Sequence, residues 1–178
     1  MGQRHFLPQH KELLKEAAVI AEEVTSDFFK LSPAHWRRAR YDILTLEGLN
    51  REEISPHAHA LVAKYKGCPA NSSVQSAWFD FYRVCLQDHN ILKTLEASPN
   101  LSFFPLLLYI VTHELVHIIR FSQFLALFEA SETEKAAEEM RVHRLTQKIL
   151  APLKVRDLPP VIKYYNDNLQ GGWQYAHL

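Results

Sequence analysis

The chain has 178 residues, 47% of them hydrophobic, and its 20 Lys+Arg are matched by 20 Asp+Glu. That length can bury one substantial core and favours a single domain over residues 1–178, while the charge balance lacks the basic excess of a phosphate-tracking nucleic-acid binder. Its two cysteines, Cys68 and Cys85, stand outside any CxxC pair, which suits a reducing compartment and argues against a thiolate-built metal site.

Residues 1–13 carry His5, Pro8, His10, Lys11 and Glu12 and no apolar run, so they do not read as a secretory leader. Phe6 stands where a myristoylation site needs Ser or Thr, and a cytoplasmic location is expected. Over residues 9–31, Leu13, Leu14, Ala17, Ala18, Ile20, Ala21, Val24 and Phe28 recur with helical period, predicting an amphipathic helix that Ser32 and Pro33 break. Arg37, Arg38 and Arg40 follow as a solvated basic face. Residues 40–46 alternate as a strand, with Tyr41, Ile43 and Thr45 on one side and Asp42, Leu44 and Leu46 on the other. Ser55 and Pro56 have the form of a cap and first helical position, predicting a short helix through Lys66 that Gly67 and Pro69 end.

A loop is expected at 71–73, and the aromatic and β-branched residues of 79–87 predict a strand that turns at Asp88, His89 and Asn90. Continuation of a helix begun near Ser73 is the alternative. Pro99 and Asn100 lead into the most apolar stretch, 101–128, which predicts a long helix entered at Pro105 or just before it. Ser131 and Glu134 match a capping box and open a further helix over 132–150, stopping before Pro152. Pro159 and Pro160 open a last short helix through Tyr164 and Tyr165, and Gly171 and Gly172 release the tail. The longest nearly unbroken apolar run, 103–111, falls short of the roughly 18 to 20 residues that span a bilayer, and His113, Glu114, His117 and Arg120 follow it directly. A buried core helix carrying a polar site is expected rather than a membrane span.

Within that helix stands His113-Glu114-Leu115-Val116-His117. One helical turn, about 6 Å of rise, puts both imidazoles on one face, where they can reach a single ion. Glu114 lies one position round, placed to take a proton from a metal-bound water without being a ligand. Zinc suits such a site, because it accepts imidazole and carboxylate tetrahedrally and lowers the pKa of its water to about 7. Chance alone gives this composition about 0.04 such matches, and three titratable residues in an apolar helix need a partner if buried.

The following helix offers Glu138, Glu139 and His143 as a third ligand. On a wheel with Ala136 at 0°, Glu139 falls at about 300° and His143 at about 340°, beside Met140 and Leu150, whereas Arg141, Arg144 and Lys148 form the water face. Glu138, at about 200°, is marginal, so Glu139 is preferred, then His143, then Glu138.

This arrangement resembles the gluzincin metallopeptidases over residues 106–146, with His113, Glu114, His117 and Glu139 at the matching positions. The resemblance implies a zincin-like core of α+β class, predominantly helical, with a small antiparallel sheet, and a peptide or protein substrate. Strand 79–87 would be its substrate-side strand. Where the family often has an acid supporting a ligand histidine, this chain has His143, which then contacts substrate or metal. The longer metzincin pattern is absent, since Arg120 stands where its glycine would be and Phe121 and Phe124 supply no third histidine.

His57 and His59 read as surface histidines, Tyr164, Tyr165, Tyr175 and His177 as candidate oxyanion donors, and Trp78, Phe79, Phe81 and Tyr82 as core. Two competing readings remain. One is a di-iron helical bundle built on the Glu114–His117 pair, though Glu139 and His143 stand at the wrong interval for a second such pair. The other is a noncatalytic, metal-stabilised interaction module, which would not need Glu114.

Overall fold

The structure is a computed structural model that describes residues 4–71 and 74–169. The expected release of the tail at Gly171 and Gly172, the candidates Tyr175 and His177, and Ser73 lie outside the described residues. The architecture is mixed α+β and mainly helical: among the described residues, six helices and one three-stranded sheet make up the regular elements, apart from three short 3-10 turns.

Helix α1 (Pro8–Phe29) buries Leu14, Ala17, Ala21 and Thr25, a stripe at helical spacing. Proline at its first position needs no N–H partner there, and Lys30 in the left-handed region closes the far end. A single turn, α2 (His35–Arg38), leads into β1 (Arg40–Leu44). Arg37, Arg38 and Arg40 are exposed, as a solvated face requires.

The helix expected after Ser55 is instead strand β2 (Ala60–Gly67). Ser55 does cap, but its hydroxyl accepts from the amides of His57 and Ala58 and makes a tight turn. Pairing with β3 (Phe79–Leu86) decides the outcome, since it sets Val62 against Val84 in the main core and Leu61 against Cys85 in a smaller apolar cluster on the opposite face. The order is β1-β3-β2, with β1 parallel and β2 antiparallel to the central strand. The sheet is therefore mixed rather than antiparallel. Gly67 is dictated by that register, because a Cβ there would come within 2.4 Å of the Phe79 ring.

Strand β3 does not simply turn at residues 88–90 but enters α3 (Asp88–Ala97). Asp88 is buried and accepts from the amides of Phe6 and Leu46 at 2.7 and 3.0 Å, tying three chain segments together. Of the aromatic run expected in the core, Tyr82 is buried, Phe79 and Phe81 are partly buried, and Trp78 is exposed.

Helix α4 (Phe103–Ser122) runs through the centre and is buried almost throughout, with α1, α5 (Glu132–Leu150), α6 (Leu158–Asn168), β2 and β3 packed around it. It is long and apolar enough to cross a membrane by length and composition, yet 89% of its most apolar window is covered by the rest of the fold. It ends before residue 128 because Phe124 adopts a left-handed conformation and the Leu125 amide returns to the Arg120 carbonyl at 2.9 Å. Helix α5 begins with the expected capping box between Ser131 and Glu134.

Candidate metal centre

Helix periodicity builds the site from both sides. On α4, Tyr109, His113, His117 and Phe121 follow one another at four-residue intervals and share a face. Helix α5 turns Glu139, Val142, His143 and Thr146 toward them, all buried, while Met140 lies beyond the edge of that face and is exposed. Arg120 of α4 and Glu138 of α5 are joined by an ion pair, with Arg120 Nη2 3.1 Å from Glu138 Oε2, and Arg141 also reaches that carboxylate at 3.2 Å. Glu138 is thus occupied as a clasp between the two helices, and Glu139 and His143 are the α5 residues that enter the site.

There, His113 Nε2 and His117 Nε2 lie 3.2 Å apart, and the Glu139 carboxylate is 2.7 Å from the first and 3.0 Å from the second. His143 Nε2 is 3.1 Å from the same Oε1 that faces His113. The ligand atoms of His113, Glu139 and His143 all fall within 4.8 Å of one another. Exposure of the four residues is 6, 2, 2 and 3% for His113, His117, Glu139 and His143, so the polar cluster is sealed among apolar side chains.

Hydrogen bonding alone does not satisfy it. Glu139 Oε1 has no correctly aligned donor among the described residues despite its two close imidazoles, and His113 Nδ1 is likewise buried without a partner there. Orphaned polar atoms of this kind each cost about 1–3 kcal/mol, whereas a cation at the focus would use the oxygen and both Nε2 lone pairs. Donors about 2.0–2.1 Å from a tetrahedral zinc stand roughly 3.3–3.4 Å from one another, a little beyond the separations of 2.7, 3.0 and 3.2 Å among His113, His117 and Glu139.

The electrostatics agree. Burial pushes His113 down to about 3 and favours its neutral, ligating form. Burial also opposes charge on His117, but Glu139 and then Glu114 outweigh it and raise its pKa. Burial would raise Glu139, yet His113 and His117 beside it hold the carboxyl well below the usual range. Glu114, 7% exposed, is pushed up to about 7 by burial.

Tyr109 is the member of the site that sequence reasoning missed. Its hydroxyl is 2.8 Å from His143 Nδ1, and its ring stacks on Tyr165 at 4.0 Å and 7°. Its place four residues before His113 was the available signal. Tyr165, expected as an oxyanion donor, directs its hydroxyl to His59 Nδ1 at 2.8 Å, and Tyr164 packs edge-on against it. His59 is not a surface residue: it is 6% exposed and its Nε2 meets Thr94 Oγ1 at 2.8 Å, whereas His57 is exposed. His59 lies one residue before β2, where its carbonyl accepts from the Gln87 amide at 2.9 Å.

No known protein family, curated protein or solved structure matches this chain.

Proposed function

We propose that the protein is a zinc-dependent hydrolase, and by its resemblance to gluzincins a metallopeptidase acting on a peptide or protein. The observation that carries this reading is the convergence of His113 Nε2, His117 Nε2 and the Glu139 carboxylate within 3.2 Å, with Glu139 Oε1 left without an aligned donor among the described residues. These three residues would hold the ion. When bound, zinc supplies Lewis acidity, polarising a carbonyl and easing ionisation of a water.

The remaining chemistry belongs to the chain. Glu114 stands next to a ligand on the same helix without sharing its face, so it acts as base toward the attacking water and then passes the proton to the leaving amine. Enclosure by apolar side chains strengthens each electrostatic contact at the site. A structural metal site would need no carboxylate at position 114, which favours catalysis over a purely scaffolding role. A di-iron reading would need more inward carboxylates than Glu114 and Glu139, and Glu138 is taken by Arg120.

The test is metal analysis of the purified protein together with Glu114→Gln. One zinc per chain in both proteins, with hydrolysis of a peptide library lost only in the variant, supports the proposal. Absence of bound metal, or two irons per chain, rejects it.

A further inference from the structure

The three ligands above leave a tetrahedral ion one open position, which a hydrolytic site fills with water. His143 is a third imidazole beside the same carboxylate. Its Nε2 lies 3.1 Å from Glu139 Oε1, its ring centroid is 4.3 Å from that of His113, and its ligand atom joins those of His113 and Glu139 within 4.8 Å. We infer that His143 is a fourth protein ligand in the resting centre, so that three imidazoles and one carboxylate close the coordination sphere and the site is latent until His143 withdraws. This rests on the zinc reading above and specifies how that same site is regulated.

Orientation supports the assignment. A ligating imidazole offers the lone pair of one nitrogen and donates the N–H of the other, and outer partners fix that choice. Tyr109 Oη, 2.8 Å from His143 Nδ1, is such a partner: with Nδ1–H donated to the phenol oxygen, Nε2 presents a lone pair to the cluster. The phenol is itself held. Tyr109 stacks on Tyr165, whose hydroxyl meets His59, which meets Thr94 of α3. Residues of α4, α6 and α3, with His59 ahead of β2, therefore back His143, and at 3% exposure it is closed off from solvent in this conformation.

Latency follows from where the ligands sit. His113 and His117 belong to the enclosed α4, whereas Glu139 and His143 belong to α5, whose outer face is exposed. Releasing His143 requires a local rearrangement of its ring against Tyr109, while the other three ligands stay in place.

X-ray absorption of the zinc-loaded protein, together with the visible spectrum of its cobalt-substituted form, reads this directly. Three imidazoles are expected in the wild type, with a four-coordinate cobalt spectrum that added azide leaves unchanged. His143→Ala should retain one metal per chain, show two imidazoles, and bind azide with a spectral change. His143→Gln guards against a packing artefact and should behave likewise. Tyr109→Phe, which keeps the ring and its stacking, should lower metal affinity by about 10 to 100-fold. Two imidazoles in the wild type, or azide binding equally to wild type and His143→Ala, would overturn the inference while leaving the zinc reading intact. Failure of the wild type to take up zinc or cobalt would overturn both.

Discussion

Two buried charged clusters in this molecule have opposite characters. Against the sheet, Glu53 is 1% exposed, but its carboxylate accepts from the Tyr65 hydroxyl, from the Asn50 amide at 2.7 Å and from Arg83 at 3.3 Å, and Arg83 grips Asp42 through two bonds of 2.9 and 2.8 Å. Between α4 and α5, Glu139 is as deeply buried, yet one of its oxygens has no aligned donor among the described residues, and its neighbours are imidazoles that ligate as readily as they donate. The sheet cluster is complete in itself. The helix cluster leaves an acceptor without an aligned donor among the described residues, and burial by itself therefore did not distinguish the two.

Removing a ligand breaks the comparison most sharply. His113→Ala, His117→Ala or Glu139→Ala should each cost orders of magnitude in zinc affinity, read by competition with a chromogenic chelator, whereas Glu53→Gln should leave affinity unchanged. Equal affinities across the set would make the helix cluster an ordinary buried network. Next in size, Glu114→Gln should keep stoichiometric zinc and lose turnover by about 10² to 10⁴-fold, since only the proton-transferring group is gone. Turnover near the wild-type value would remove Glu114 from the chemistry.

A smaller effect comes from His59, pushed down to about 4 by burial. Its folded pKa lies below the ordinary value of 6.5, so the unfolded chain takes up a proton that the folded protein refuses. Stability from this group is present above about pH 6.5 and is lost as pH falls toward about 4, by up to about 3 kcal/mol. Denaturant titrations of wild type and His59→Gln over that interval should differ in slope by about one proton, and parallel curves would place the charge change elsewhere. Smallest is Glu53→Gln itself, expected to cost about 1–3 kcal/mol of stability irrespective of zinc. A zinc-dependent cost there would join the two clusters energetically.

The helix cluster was largely legible because its information is local. Spacing of four placed His113 beside His117, the wheel put Glu139 and His143 on one side of their helix, and the capping box at Ser131 fixed where that helix begins. What stayed hidden depended on partners distant in sequence. The stretch after Ser55 carries a good helix-start signal, and only β3 makes it a strand; the same pairing buries His59, which the short-range pattern left at the surface. Met140 was assigned inward from an arc drawn too wide, because the buried residues Glu139, Val142, His143, Thr146, Ile149 and Leu150 centre away from it. Helix α3 has ten residues and a modest apolar face, and its entry at Asp88 is set by the amides of Phe6 and Leu46, which no local window contains.

An ion held between His117 and Glu139 would also be a cross-link, closing a loop of 22 residues much as a disulfide does. Loop closure of that length is worth about 3 kcal/mol of unfolded-state entropy, and unlike a disulfide it is reversed by a chelator. The segment it would cinch includes Phe124, Leu125 and Leu127, each more than half exposed, and the helix it would fasten down, α5, is part of what covers the most apolar helix of the chain. Metal supply would then act as a shelf-life control: a chelator that loosened α5 would uncover part of the apolar α4 that it packs against.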